Sequence, residues 1–161
     1  MDGEIFTANG SQIFIGPAVT KTTNTASQFA ALSYLEVGLV ETLGEYGDES
    51  SASTFNPLGS GRVLKGKGSR DAGILPLTVG YDATDEGQQA LIAAEATNNN
   101  FAFKIVLPNR PNPTGTDEIH YFRGLVMSKR KNVGSSDNVV RNTFNIGINS
   151  EIIEVAPTAG A

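Results

Sequence analysis

The stretch at residues 140–148, VRNTFNIGI, alternates apolar and polar side chains. Its apolar members Val140, Phe144, Ile146 and Ile148 fall on one face of an extended chain, and its polar members fall on the other. A period of two is typical of a strand with one face on a core and one face in water. This segment therefore predicts a fold built on β-sheet.

Three further segments predict strands by the same period: residues 75–81, 101–107 and 118–128. In residues 118–128 the apolar side chains fall on both faces, which predicts a strand that is buried on both sides or lies at a subunit contact. Pro76 has no N–H to give to a ladder, so its strand needs a sheet edge or an unpaired site there.

One segment predicts a helix, from Asp85 to about Thr97. Asp85 is suited to cap it, with Gln88 as the capping-box partner three residues later. Asp82, Asp85 and Glu86 also form an acidic cluster, for which a Ca²⁺ site is the alternative. The spacing does not fit an EF-hand loop, and helix N-termini attract carboxylates, so capping is favoured.

The N-terminal part, residues 1–30, is predicted to be a hairpin and an arm. Residues 4–7 and 12–16 read as two short strands around Asn9-Gly10, a strong hairpin turn signal. Residues 17–28 are rich in Thr, Asn and Ser and are expected to be a flexible connection.

Three other segments complete the chain. Residues 35–43 alternate in hydrophobicity, which indicates a half-buried strand with a possible break at Gly38. Residues 44–73 combine many turn residues with few apolar ones. Thr54-Phe55 and residues 63–65 allow a hairpin, but their apolar content is too low for a core element, so the prediction is a long loop or arm that becomes ordered on a partner. Residues 156–161 are expected to be a frayed tail. The prediction is a single domain over residues 1–161, mainly β, as a β-sandwich or partly open barrel with one flanking α-helix.

Composition excludes several classes of function. The 161 residues contain no Cys, so disulfides and thiolate metal sites are impossible. The net charge of −5 does not favour nucleic acid as a ligand unless basic residues are segregated. The N-terminus does not resemble a signal peptide, and no apolar run approaches the ~18 residues of a membrane span, so no membrane partner is expected.

No constellation of residues predicts catalysis. His120 is the single histidine and has no visible metal or nucleophile partner, so a structural or surface role is favoured. The glycine-rich pieces around residues 59–61 and 66–68 lack the Walker pattern and are better explained as turns. We therefore expect a protein that is not an enzyme and that uses no metal or cofactor.

The basic run Lys129-Arg130-Lys131 allows three interpretations. It binds nucleic acid, it is a solvated strand end, or it meets an acidic surface on another copy of the chain. The third interpretation points to the acidic residues at the start of the 44–73 segment. Candidate inter-subunit contacts are Glu45, Asp48, Glu49, Phe55, Leu58, Arg62, Lys65, Lys129, Arg130 and Lys131.

The second half of the chain resembles bacteriophage tail tube proteins over residues 72–153. The resemblance lies in the order of its elements: a strand ending in Tyr81-Asp82, a helix, FAFKI at 101–105, HYFRG at 120–124, and SDNVV at 136–140 leading into the last strand. The N-terminal half matches only in its general plan of a hairpin followed by a long loop.

The resemblance implies a structural protein of the virion that assembles in the host cytoplasm. It implies hexameric rings whose sheets join into one ring-shaped barrel, stacked as a tube through which DNA passes, and a fold shared with type VI secretion tube proteins. Implied partners are further copies of the chain and the tape measure, terminator and distal tail proteins. Six copies lending about four strands each at ~4.8 Å spacing give a bore roughly 37 Å across, enough for duplex DNA. The lumen-facing residues are left open.

The sequence also allows two alternative functions. One is the tube protein of a contractile tail or secretion system. The other is a soluble β-sandwich binding module, such as a carbohydrate binder. The chain has no Trp and only 7% aromatic residues, which is thin for sugar stacking.

Overall fold

A computed structural model describes residues 3–161 of the chain. Ten strands and two helices lie within this range. In chain order they are β1 (Gln12–Ala18), α1 (Ala26–Ala30), β2 (Leu35–Glu36), β3 (Val40–Thr42), β4 (Glu49–Phe55), β5 (Leu64–Asp71), β6 (Ile74–Gly80), α2 (Glu86–Glu95), β7 (Phe101–Leu107), β8 (Glu118–Asn132), β9 (Arg141–Ile148) and β10 (Ile153–Val155).

Eight of the strands form one curled antiparallel sheet in the order β2-β1-β7-β8-β9-β6-β3, with β10 as the eighth. β8 is the longest strand and pairs with β7 along its first half and with β9 along its second. β10 pairs with the start of β8, beyond the end of β9. The predicted class, mainly β with a partly open barrel, is confirmed.

The main core lies between one face of this sheet and α2. The apolar residues of β6, β7 and β9 that the period-two pattern assigned to one face are buried there, and Leu91 and Ala94 of α2 close the core from the helix side. Phe103 stacks on Phe122 of β8, with the ring centroids 5.3 Å apart. Burial of such aromatic pairs contributes area and a favourable ring geometry together.

A smaller core covers half of the other sheet face. Phe29 of α1 stacks on Tyr121 of β8 at 5.7 Å between ring centroids, and both pack against Ala102 of β7. Tyr34 closes this cluster by donating its hydroxyl to the carbonyl of Phe29 at 2.8 Å. The two-sided burial predicted for residues 118–128 is therefore found at Tyr121 and Phe122, which face opposite cores.

The start of α2 follows the prediction only in part. Asp85 caps the helix by accepting a hydrogen bond from the Gln88 N–H at 2.9 Å. The Gln88 side chain does not return to the cap. It is fully buried, and its amide nitrogen donates to the carbonyls of Gly38 and Gly80 at 3.0 and 2.9 Å. Gln88 therefore joins the break after β2 to the end of β6.

The predicted N-terminal hairpin is wrong. The Asn9-Gly10 turn is present, with the Ser11 N–H bonded to the Ala8 carbonyl at 2.9 Å, but residues 3–7 form no strand. β1 pairs instead with β7 on one side and β2 on the other. Long-range pairing thus replaces the local partner that the turn suggested.

The flexible connection predicted for residues 17–28 is also wrong. β1 continues to Ala18, and Thr25 caps α1 in a capping box with Gln28. The fold therefore has two helices rather than the one expected. The loop predicted for residues 44–73 contains an antiparallel hairpin, in which β4 pairs with β5 from Glu49 opposite Asp71 to Phe55 opposite Leu64.

Two remaining segments differ in detail. The half-buried strand predicted at 35–43 is broken into β2 and β3, and Leu39 between them has a φ of 55°, in the left-handed region. The tail predicted to fray is held down, since Thr158 forms a β-bridge with Thr116 and the Gly160 N–H bonds to the Asn112 side chain at 2.9 Å. Within the described residues no helix is long and apolar enough to cross a membrane.

Candidate assembly interface

The hairpin β4–β5 with its connection, residues 49–71, projects without a core of its own; we call it the arm. Nearly all of its residues are exposed. Its tip carries apolar side chains, with Phe55 65% exposed, Leu58 fully exposed and Leu64 53% exposed. A lone two-stranded hairpin is marginally stable in water, so this arm and its apolar tip are suited to pack on another surface.

The acidic candidates lie where the arm leaves the sheet. Asp48 forms an ion pair with Arg70 of the arm at 2.9 Å, so it is already neutralised within the chain. Glu45 and Glu49 are exposed and make no ion pair among residues 3–161. Of the three acidic residues predicted to face a basic partner, these two are available for it.

The basic candidates do not end β8, as the sequence suggested, but lie inside it. A bulge at Met127 and Ser128 sets two residues of β8 against one of β9 and shifts the alternation of side chains. As a result Lys129 and Lys131 lie on the α2 side of the sheet, and the Lys131 amine sits 3.7 Å from the centre of the Tyr81 ring. Arg130 lies on the opposite face.

The acidic and basic candidates occupy opposite ends of the same strands. Lys131 pairs with Asn142 near the start of β9. Glu45 and Glu49 lie near the other end of β9. At that end the Ile148 N–H bonds to the Gly73 carbonyl at 3.0 Å. At about 3.3 Å per residue the two ends of β9 are roughly 20 Å apart. The two charge groups therefore cannot meet within one chain, whereas two copies placed head to tail would bring them together.

One half of the sheet surface is bare. On the face away from α2, β6 and β9 present Pro76, Thr78, Thr143 and Asn145, all half-buried. Gly44 lies against the Pro76 ring, and no helix packs on the other three within the described chain. The hydroxyls of Thr78 and Thr143 lie 3.4 Å apart across the two strands. Met127 of β8 borders this surface and is 56% exposed. We call it the bare face.

The two sheet edges are only partly closed. β2 pairs with β1 at Phe14 and Ile15, and the Val37 N–H adds a bond to the Ile13 carbonyl at 2.9 Å, so the open part of this edge is the end of β1 beyond Ile15. At the other edge β3 pairs with β6 at Val79 and Thr78. Pro76 lies beyond this short pairing, so its missing N–H costs no ladder bond, as its position in the sequence required. Open edges of this kind are sites for pairing with another chain.

A polar cluster that the sequence did not predict lies at the rim of the main core. His120 is 7% exposed, and its Nε2 lies 2.5 Å from a carboxylate oxygen of Glu118. Its Nδ1 lies 2.7 Å from the hydroxyl of Tyr46. Glu154 of β10 approaches from the next strand, and ligand atoms of Glu118, His120 and Glu154 all lie within 4.8 Å of one another. Burial, and then the charges of Glu154 and Glu118, raise the pKa of Tyr46 to about 12.

The structure groups the ten predicted contact residues into three sets: the arm tip, the arm base (Glu45, Asp48 and Glu49) and the basic run (Lys129, Arg130 and Lys131). Phe55, Leu58, Arg62 and Lys65 belong to the tip, whose exposed Leu64 the prediction omitted. Arg70, which neutralises Asp48, was also missed, because nothing in a Gly- and Ser-rich stretch shows which residue a cross-strand partner will reach. The bare face was missed because its residues are individually unremarkable Thr, Asn and Pro.

Solved structures resemble this chain in three dimensions. No protein-family model and no curated protein sequence matches the chain. A chain of the anti-feeding prophage (AFP) baseplate matches with a TM-score of 0.71 and 10% identity, covering 97% of this chain and 98% of that one. A sheath/tube terminator of an extracellular contractile injection system, PVC, gives a TM-score of 0.68 and 10% identity, with 96% and 99% covered.

The SPP1 tail tube protein also matches, with a TM-score of 0.58, 14% identity and coverage of 91% of this chain and 76% of that one. At identities of 10–14% these matches show a common fold. The chain therefore has the fold of tail tube and tube terminator proteins, in agreement with the resemblance seen in its second half.

Proposed function

We propose that this chain is a structural protein that assembles with further copies of itself into rings and stacks these rings as a tail tube. The observation that carries the proposal is the arm, which extends into solvent with an apolar tip and no core beneath it. Such a segment gains its stability from a neighbouring subunit. The fold shared with the SPP1 tail tube supports the same assignment.

The sheet edges supply the second contact. β1 and β6 each keep an open stretch of backbone donors and acceptors outside the two- and three-residue strands that flank them. In a ring, the β1 edge of one subunit would lie next to the β6 edge of the following one, and the sheets would continue from copy to copy. A closed ring of this kind removes exposed edges altogether.

We further propose that the rings are hexameric, that DNA passes through the bore and that the tube is part of the virion. The bare face is the surface that we assign to the bore. β6, β9 and the second half of β8 contain no Asp or Glu, and the centre of the face consists of Thr, Asn and Pro side chains, with Arg130 beside Thr143. Short neutral side chains offer no strong attachment to phosphate, and a single arginine beside them makes a non-specific phosphate contact that DNA can exchange as it passes.

A role as a tail tube protein also implies a site of assembly and further protein partners. Assembly would take place in the host cytoplasm, and the tube would contact tape measure, terminator and distal tail proteins at its ends. The chain would carry out no chemical reaction of its own and need no cofactor for assembly.

Negative-stain electron microscopy of the purified protein at high concentration tests the proposal. We expect rings about as wide as a six-subunit barrel requires, and tubes formed from stacked rings. Light scattering that finds only monomers at every salt and protein concentration would contradict it.

A contractile system is the second candidate, and one observation favours it. The PVC protein, which gives one of the higher TM-scores, is a sheath/tube terminator of a contractile injection system. Tubes that bind a sheath protein encoded beside this chain in a co-sedimentation experiment would select this version. Tubes without such a partner would select a non-contractile tail.

A further inference from the structure

We propose that Glu118, His120 and Glu154 form a binding site for a divalent transition-metal ion, with Zn²⁺ as the best match, and that Tyr46 positions the histidine. The proposal does not depend on tube assembly. It rests on three side chains from two paired strands whose ligand atoms converge within 4.8 Å at the rim of the main core.

Strand pairing explains why the three side chains meet. His120 of β8 is directly opposite Glu154 of β10, so their side chains stand on the same face of the sheet. Glu118 lies two residues before His120 on the same strand and therefore shares that face. The site is built on hydrogen-bonded strands rather than on loops, which fixes the positions of its ligand atoms.

The charge of the cluster calls for a cation. Two carboxylates lie beside one imidazole. Glu118 lies 2.5 Å from His120 Nε2 and accepts a hydrogen bond from the Asn109 side-chain amide at 3.2 Å, but neither carboxylate forms an ion pair with Lys or Arg within residues 3–161. His120 is 7% exposed and Glu118 is half-buried, so water shields the group mainly on the Glu154 side, where the carboxylate is exposed. A metal ion entering from that side would neutralise both carboxylates at once.

The chemical types of the three ligands indicate which metal ion the site prefers. One imidazole nitrogen and two carboxylate oxygens are a set that Zn²⁺ accepts in sites with three protein ligands and a fourth position open to water. Ca²⁺ and Mg²⁺ prefer ligand sets made of oxygen alone. The open fourth position would lie on the exposed side of the cluster, next to Glu154.

Tyr46 provides the outer hydrogen bond that metal-bound histidines usually make. For Nε2 to bind a metal, the proton of neutral His120 must sit on Nδ1, which lies 2.7 Å from the Tyr46 hydroxyl. A hydroxyl accepts as readily as it donates, so it can hold either tautomer. Tyr46 stands just before the arm, so a bound ion would fasten the arm base to β8 and β10.

The acidic cluster before α2 does not share these features. Asp85 caps the helix, and Asp82 accepts hydrogen bonds from the backbone and hydroxyl of Thr84 at 2.9 and 2.7 Å. The carboxylates of Asp82 and Asp85 accept hydrogen bonds that build the helix start, and no histidine is near them in the described chain. That cluster therefore lacks the imidazole nitrogen that the site at His120 offers.

Isothermal titration of the full chain, first freed of metal with a chelator, with ZnCl₂ tests the proposal. We expect one saturable site per chain. Cobalt provides an independent readout, since Co²⁺ bound to a nitrogen and oxygen site gives visible absorption bands that Zn²⁺ abolishes by displacement. Absence of a saturable site for both ions would overturn the proposal.

Variants assign the ligands. Glu154→Gln changes an exposed side chain, so the protein should fold as before and its Zn²⁺ affinity should fall at least tenfold. Tyr46→Phe should weaken binding by about 10–100-fold, as loss of an outer hydrogen bond does in other metal sites. Glu151→Gln, an exposed carboxylate three residues before Glu154, is the matched control and should bind as the original chain does. Equal affinity in Glu154→Gln and Glu151→Gln would refute the site.

Discussion

At the scale of single residues, the buried Gln88 side chain links separate segments of the fold through hydrogen bonds. It is fully buried, donates to two carbonyls from separate segments, and accepts from the Asp82 N–H at 3.1 Å. Gln88→Leu keeps the volume and removes all three bonds. Because buried polar groups would lose their partners, we expect the free energy of unfolding to fall by about 3 kcal/mol, measured by urea denaturation.

Gln89 offers a matched control one position along the same helix. Its side chain is exposed, and its one hydrogen bond reaches the Ala83 carbonyl at 2.6 Å on the surface. Gln89→Leu should change the free energy of unfolding by no more than about 0.5 kcal/mol. A similar small effect from Gln88→Leu would show that its bonds contribute nothing beyond what water supplies.

The elements differ in how far the sequence predicts them, and pairing distance explains the difference. β6, β7 and β9 follow directly from alternating residues, since burial on one face imposes that pattern. The hairpin predicted at residues 4–16 is wrong although its turn forms, because β7 pairs along one edge of β1 and β2 pairs with part of the other. The helix α1 was missed despite its Thr25 and Gln28 capping signal, which a closer use of that motif would have found.

The sites were harder to predict than the strands. A bulge of one residue at Met127 decides which face each member of the basic run occupies, and no local pattern marks it. The cluster around His120 requires β10 to pair with β8 and Tyr46 to reach His120, and these contacts join residues 34 and 74 positions apart in the chain. Such contacts exist only in the folded topology.

The arm is the element that assembly should need and folding should not. Leu58 is fully exposed at its tip and contacts no core. Leu58→Ser should leave the melting temperature of the single subunit unchanged, because no buried surface is lost. It should reduce the number and length of tubes seen by electron microscopy, because the tip loses apolar contact with its neighbour. Tubes as abundant as those of the original chain would argue against a role for the tip.

The bare face permits a test of its assignment to the bore, because the chain contains no cysteine. A Thr143→Cys variant carries a single thiol on this face, and Gln89→Cys carries one on the exposed side of α2. In assembled tubes both should react with a small maleimide. A maleimide on a polymer too large for the bore should label Gln89→Cys and spare Thr143→Cys. Labelling of both by the large reagent would place the bare face outside the tube.

For the molecule as a whole, the separation of charge along β9 gives the subunit two different ends. Lys129 and Arg130 mark one end, and Glu45 and Glu49 mark the other, with no ion pair inside the described chain. A contact between unlike ends repeats without closing, which is how stacked rings extend into a tube. The interaction between exposed charges is screened within about 8 Å at physiological ionic strength, so tubes should come apart into rings as salt is raised.

Charge exchange between two variants tests whether these ends meet. Lys129→Glu with Arg130→Glu makes both ends acidic, and Glu45→Lys with Glu49→Lys makes both ends basic. Each variant alone should stop at rings, because like charges repel across the stack. A mixture of the two should form tubes again, since acidic ends then meet basic ends in alternation. Electron microscopy of the separate and mixed samples distinguishes the outcomes. Tubes from either variant alone, or none from the mixture of intact rings, would show that stacking relies on other contacts.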